Sequence, residues 1–129
     1  MTAEEFVAAI KMVVHDSTTD DVIAAVEAPI GRKPAASVLQ LSSWYNALPE
    51  SDKVNVRAMV LRGVHAALFG VFAVIDGVRV IEDTDEKSDF RLVQVRGGVE
   101  MTINPPSVML HDIYQAEVWD EVFGPIAKP

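Results

Sequence analysis

The sequence predicts an α+β fold from three observations. A proline-free, mostly apolar segment in the middle of the chain is long enough for one helix from about Ser51 to Ile75. Apolar residues before it recur at helical spacing, whereas those from about Val78 to Asn104 alternate as in strands. An order of helices, then strands, then a last helix favours α+β over an alternating α/β sheet. With 129 residues, the chain is expected to form a single globular domain, residues 1–129.

The first quarter of the chain predicts two helices separated by a polar break. Thr2 and Glu5 have the spacing of a capping box, and the helix that they start is expected to run to about His15. Residues 16–19 are polar and predict an interruption. A short second helix follows and is expected to stop before Pro29.

A third helix, to about Ala47, and the long central helix complete the N-terminal half. The central helix should be solvated at its start and buried at its end, because residues 66–75 carry no polar side chain. That apolar run is about half of the roughly 20 residues that span a membrane, so a soluble core helix is expected. Small residues line one of its faces, where we expect another helix to pack closely: Gly63, Ala66, Gly70 and Ala73.

Three antiparallel strands, forming a meander, are predicted next. A three-residue turn at 96–98 would pair Val95 with Val99 and keep one face of the hairpin apolar. We therefore expect this register rather than a two-residue turn, which would place Gln94 opposite Met101. The predicted strands are residues 78–82, 90–96 and 99–104.

A last helix is predicted from Leu110 to Phe123. Its apolar positions do not hold one helical phase, because Val118 and Trp119 mark a buried side that the first turn does not share. A kink or break near Gln115 is therefore expected.

Composition and charge exclude several classes of function. The chain has no cysteine, so disulfides, thiolate catalysis and cysteine-ligated metals are impossible. Its formal net charge of −8 argues against affinity for nucleic acid or anionic membranes. The negative charge is concentrated towards the two ends, whereas residues 32–75 are net positive. The first residues lack the basic leader of a signal peptide, so a cytoplasmic location is expected.

Motifs for catalysis or metal binding are not found in the sequence. The acidic stretch at residues 82–89 alternates like a calcium loop but lacks the central glycine and the last glutamate, so a solvated connection is expected. No two histidines have helical metal spacing, and HExxH, phosphate-loop and serine-nucleophile motifs are missing. The sequence therefore predicts no cofactor, no metal and no catalytic residue, and it favours a protein that is not an enzyme.

Two hypotheses for function follow. The first is a small acidic protein-binding domain, of the inhibitor, immunity or adaptor type, with a basic protein partner. Its candidate interaction patch contains residue types enriched in interfaces: Arg32, Lys33, Trp44 and Tyr45. The second is an enzyme or small-molecule binder with a site between the sheet and the central helix, lined by His65, His111 and Asp112. The competing explanation for the patch is an ordinary apolar core stripe in the third helix. The competing explanation for the histidines is that they are buried and structural.

Overall fold

Four helical segments and a two-stranded hairpin make up residues 1–128, the part of the chain that this computed structural model describes. The α+β class, the long central helix and the C-terminal helix are confirmed, whereas the third strand is not. In chain order the elements are α1 (Ala3–Ile10), a π-helical turn (Lys11–His15), α2 (Asp16–Glu27), α3 (Ala36–Asn46), α4 (Glu50–Ile75), β1 (Val93–Arg96), β2 (Val99–Thr102) and α5 (Leu110–Phe123).

The predicted break after His15 is wrong, because the chain stays helical through a π-helical turn. The capping box at the start is present: the Thr2 hydroxyl accepts a hydrogen bond from the Glu5 N–H at 3.1 Å, and the Glu5 carboxylate accepts from the Thr2 N–H at 2.7 Å. Further on, the N–H of Asp16 donates to the carbonyl of Lys11, the five-residue step of a π-helix. This extra residue brings His15 to the inner side of the segment, where it is completely buried.

Helix α5 has a single buried face along its whole length. Tyr114 is completely buried, whereas Trp119 lies at the surface against Phe123, with 4.6 Å between ring centroids. The predicted interruption near Gln115 is wrong, because one stripe at a spacing of four residues reaches the core from the first turn to the last. Together with α1 and α4, this helix forms the core, whose buried residues are Ala3, Val7, Phe72, Ile103, Leu110, Tyr114, Val118 and Val122.

Helix α4 is much less buried than the sequence predicts. The expected helix contact on its small-residue face is wrong: Gly63 has open space beside it, and Gly70 is covered by the side chain of Arg79. By length and composition α4 could also be a membrane span, with a mean hydropathy of 2.0 over 18 residues and 22 % of that window buried. Core helices of soluble proteins pass the same test, so the cytoplasmic location stays a prediction. The buried residues of α4 are His65, Gly70, Phe72 and Ala73.

Residues 78–82 do not form the predicted third strand. The N–H groups of Val78 and Arg79 both donate to the carbonyl of Ala73, at 2.9 and 3.0 Å, and so complete the end of α4. Because these two N–H groups are bonded to a carbonyl in the last turn of α4, they are not available to a neighbouring strand. Residues 78–82 therefore continue from α4 as an irregular loop. Within residues 1–128, the sheet consists of β1 and β2.

The hairpin has the register that the sequence analysis rejected. Gln94 lies opposite Met101, so the turn contains two residues, and the predicted pairing of Val95 with Val99 is wrong. Gly97 and Gly98 have φ angles of 57° and 78°, and two positive φ angles define the type I′ turn, whose twist matches that of the strands. Backbone geometry at the glycines therefore overrides the apolar pattern, and each face of the hairpin mixes apolar and polar side chains.

Candidate functional site

The predicted interaction patch is divided between the surface and the interior. Trp44 is 53 % exposed, and Arg32 and Lys33 are exposed in the loop before α3. Tyr45 is buried at 4 % exposure, and the Lys53 ammonium lies 5.4 Å from the centre of its ring. Tyr45 is thus a packing residue, and three of the four predicted patch residues are accessible to a partner.

Further apolar side chains are exposed on α3 and in the loop before it, and others are exposed on α4. Leu41 and Trp44, one helical turn apart, lie on the same side of α3, and each is more than half exposed. Helix α3 packs mainly on α2, which leaves this side uncovered. The exposed apolar residues of this loop, α3 and α4 include Ile30, Val38, Leu39, Leu41, Trp44, Met59 and Val71.

The chain exposes a large surface for its mass. Its accessible surface is 8744 Å². A folded monomer of 14.1 kDa is expected to expose about 6,700 Å². The excess of about 2,000 Å² is as much as one subunit contributes to a large, stable protein interface. This accessible surface belongs to the whole chain, including the irregular segment 78–92, and it includes many exposed apolar side chains.

All three histidines lie where the π-helical turn, α4 and α5 meet. The Nδ1 atom of His15 lies 2.7 Å from the Tyr114 hydroxyl oxygen. The His65 ring stacks on Tyr114, with 5.6 Å between ring centroids, and also on Phe69. The edge contact of Phe69 with His111, at 5.3 Å, completes a continuous row of rings through this interface.

Asp76 holds His111 at one end of this row. One carboxylate oxygen, Oδ2, accepts a hydrogen bond from the His111 backbone N–H at 2.9 Å and lies 2.6 Å from its Nδ1. The Asp76 side chain is completely buried, and its other oxygen has no hydrogen-bond partner in residues 1–128. The sequence analysis missed Asp76 because it is far from His111 along the chain and follows an ordinary helix end. The pair joins the end of α4 to the start of α5.

Burial shifts the pKa values of His65 and Tyr114 in this interface, each in the direction that favours the neutral form. Burial lowers the pKa of His65, and the nearby His15 lowers it further. Burial likewise raises the pKa of Tyr114, as do the negative charges of Glu121 and Asp16. The sequence expectation of a buried histidine at position 65 is met, although its Nε2 makes no hydrogen bond to any of the described residues.

The structure does not bring the three residues of the alternative pocket into one site. His65 and His111 are packed between helices, whereas Asp112 is exposed, with its Oδ1 3.3 Å from the His111 Nε2. A cleft does lie between the end of α4 and the loop that follows it, and it is lined by other residues, including Val74 and Phe90.

The acidic loop is held by its own side chains. The Glu82 carboxylate accepts hydrogen bonds from the backbone N–H and the hydroxyl of Ser88, at 2.6 and 2.7 Å. The Lys87 ammonium donates to the carbonyls of Glu82 and Thr84. Because a lysine uses the carbonyls that a cation would need, this loop is not arranged as a calcium site.

A polar cluster that the sequence analysis missed lies where the π-helical turn meets α5. The Lys11 ammonium is 2.7 Å from Asp16 Oδ1 and 3.6 Å from Glu121 Oε2. Its hydrogen bond with Asp16 raises the pKa of Lys11 despite some loss of solvation. The His15 Nε2 lies 3.4 Å from Glu121 Oε1. A five-residue spacing and a partner on a remote helix leave no recognisable pattern in the sequence.

Comparisons of the chain with protein-family models, with curated proteins and with solved structures found no match. No family is assigned, and the function is inferred from the residues themselves.

Proposed function

We propose that the chain is a small acidic protein-binding domain that recognises a basic protein partner. The observation that carries this proposal is the apolar surface left uncovered around α3 and α4, within a total accessible area of 8744 Å². Burial of apolar area stabilises association by roughly 25 cal/mol per Å². A complex forms when this gain exceeds the free-energy cost of the translational and rotational freedom lost on binding. A stable complex of standard size buries about 800 Å² on each partner.

Trp44 and Leu41 are the expected anchors of this interface. Both present more than half of their surface to solvent from one side of α3. Large aromatic residues contribute most of the binding energy in many interfaces, because they bury a large area with few rotatable bonds. Arg32 and Lys33, in the adjacent loop, would form part of the polar rim and would have to face acidic or uncharged groups of the otherwise basic partner.

Charge favours a basic partner over a second copy of the chain. Two copies would each carry a formal net charge of −8 and repel one another over long range. The exposed acids at Asp83, Asp85 and Glu86 make no ion pair within residues 1–128, so their field reaches solvent. Such a field raises the association rate with a positive protein, while the apolar anchors lower the dissociation rate.

The test compares two tryptophans of similar exposure. Proteins captured from a lysate of the source cell by the wild-type chain are tested again with Trp44→Ala and with the matched control Trp119→Ala, on α5. We expect a basic partner whose affinity falls at least tenfold with Trp44→Ala and less than threefold with the control. Equal effects of the two changes would exclude α3 as the interface.

The role of charge is measured separately by association kinetics. Replacing Asp83, Asp85 and Glu86 by their amides should slow association with this partner at low salt and have little effect at 1 M salt, where the Debye length is about 3 Å. Glu121 is not a suitable position for this test, because it contacts Lys11 and His15. A dimer of the wild-type chain, found by light scattering at micromolar concentration and low salt, would show that a second copy covers the surface and would overturn the proposal.

The second candidate, a small-molecule binder or enzyme, is favoured by one observation. The buried Asp76 carboxylate orients His111 while keeping one oxygen without a hydrogen-bond partner. A carboxylate that orients an imidazole is a frequent part of catalytic sites. A ligand that raises the melting temperature of the wild type but not of His111→Gln would favour this function over protein binding.

A further inference from the structure

His15 carries a polar atom that the fold leaves without a partner. The residue is completely buried, and its Nε2 makes no hydrogen bond within residues 1–128. That atom faces the Glu121 carboxylate at 3.4 Å, outside hydrogen-bond geometry. Leaving a buried polar group unpaired costs roughly 1–3 kcal/mol, so such an atom requires a physical reason.

We propose that His15, Asp16 and Glu121 form a binding site for a divalent transition-metal ion, with Zn²⁺ the best fit, and that the metal displaces the Lys11 ammonium. Imidazole nitrogen and carboxylate oxygen are both atom types that bind Zn²⁺, and a water molecule would complete four-coordination around three protein ligands. The inference is independent of the proposed protein-binding surface, which lies on other helices.

The distances between the ligand atoms suit a tetrahedral ion. All three potential ligand atoms lie within 4.8 Å of one another. Bonds of about 2.0–2.1 Å to a tetrahedral Zn²⁺ hold neighbouring ligand atoms about 3.4 Å apart. His15 Nε2 and Glu121 Oε1 already have this separation of 3.4 Å. Asp16 needs only a rotation of its side chain, which is 42 % exposed.

Tyr114 lies behind His15 and can fix the tautomer and the orientation of its ring. A histidine that binds a metal through Nε2 usually donates its Nδ1–H to a fixed acceptor, which sets the tautomer. Here the Tyr114 hydroxyl oxygen lies 2.7 Å from Nδ1 and can accept that hydrogen bond. Tyr114 is itself completely buried between α4, α5 and the π-helical turn, so the imidazole cannot easily rotate away.

The π-helical turn explains how neighbouring residues can serve one ion. Consecutive side chains on a regular α-helix point about 100° apart, which separates their polar atoms. The wider turn at Lys11–His15 ends at His15, immediately before Asp16. Single π-helical turns occur frequently at functional sites.

Lys11 acts as the competing cation in this arrangement. Its ammonium bonds to Asp16 at 2.7 Å and lies 3.6 Å from Glu121, so it balances the same two carboxylates that a metal would use. Removing this positive charge should therefore tighten metal binding, whereas an ordinary salt-bridge cluster would lose stability and gain no metal. This opposite response separates the proposal from a structural role.

The test is a calorimetric titration of the chelator-treated protein with Zn²⁺. We expect one site per chain, with an affinity that falls at least tenfold in Glu121→Gln and rises at least tenfold in Lys11→Met. Lys53→Met is the matched control, because Lys53 pairs with Glu50 at the start of α4 and should leave the affinity unchanged. Glu121 is largely exposed, so its replacement tests the site even where His15→Gln fails to fold.

Three results would overturn the proposal. The first is the failure of both the wild type and Lys11→Met to bind Zn²⁺. The second is binding that Glu121→Gln leaves unchanged, which would place the ion elsewhere. The third is an unchanged affinity in Lys11→Met, which would exclude displacement of the ammonium. Zn²⁺ binding with the expected pattern would reverse the sequence-based prediction that the chain holds no metal.

Discussion

The two sides of α4 differ in how completely they are covered. One side meets α1 and α5 through buried Phe72 and partly buried Leu68, and three histidines and Tyr114 lie in that interface. The other side presents Ala66 and Val71 to solvent. The comparison teaches that the hydropathy of a helix does not measure its burial within one chain. The core needs only one face of α4, and the second apolar face remains available for another molecule.

The largest expected effect comes from emptying the covered side. Tyr114→Ala removes a completely buried ring and leaves the Nδ1 atom of His15 unpaired. We expect the free energy of unfolding to fall by about 3–5 kcal/mol, as for other large-to-small changes in a core, measured by urea denaturation. Trp119→Ala on the same helix is the control and should cost about 1 kcal/mol or less, because Trp119 lies at the surface. Similar losses in the two variants would contradict the division of α5 into a covered and an open face.

A smaller effect should appear in the dependence of stability on pH. The pKa of His65 in the folded protein lies below its ordinary value of 6.5, mainly because of burial. The unfolded chain therefore takes up this proton at a higher pH than the folded protein does. The contribution of His65 to the free energy of unfolding is fully present above about pH 6.5, and it is lost as the pH falls from there through the folded pKa.

Replacing His65 by phenylalanine keeps a ring in the stack and removes this titration. We expect the urea midpoint of the wild type to decrease between pH 7 and pH 5, and that of His65→Phe to decrease less. Val118→Ala, which is destabilised without loss of a titrating group, should retain the wild-type slope. A slope in His65→Phe as steep as in the wild type would place the acid sensitivity elsewhere.

The smallest effect is expected at Gly70, which is buried beneath the Arg79 side chain rather than beneath another helix. A Cβ added at Gly70 would lie 2.5 Å from Nη1 of Arg79, the end of a flexible side chain that can move away. Alanine is favoured over glycine inside a helix by roughly 1 kcal/mol, which offsets this displacement. Gly70→Ala should therefore change the free energy of unfolding by less than about 1 kcal/mol, measured by thermal denaturation. A loss of 3 kcal/mol would indicate the close helix contact that the sequence predicted and the structure lacks.

Features fixed by neighbouring residues could be predicted from the sequence. The capping box at Thr2 and the bounds of α4 and α5 depend on side chains within a turn or two, and they are confirmed. The turn at Gly97-Gly98 is also a local feature, but here the apolar pattern predicts one register and the positive φ angles that two glycines permit favour the other. The error lay in the choice between two local signals.

Features that depend on distant residues could not be predicted. The partner of His111 is Asp76, and the partner of His15 is Tyr114, each on another helix. The same holds for the candidate site, because Glu121 reaches Lys11 only when α5 packs on the N-terminal segment. Residues so far apart along the chain leave no local pattern that joins them.

The contact between His15 and Tyr114 also affects how the protein folds as it is made. These residues are separated by 99 positions along the chain, and α1 packs directly on α5. A ribosome adds about 5–20 residues per second, so the first helices wait several seconds before α5 exists to cover them. During that interval their apolar surface is exposed, and a chaperone that binds such surface would find its target in the nascent N-terminal helices. Closing so long a loop is slow compared with forming local helices, so docking of α5 is the step that completes the core.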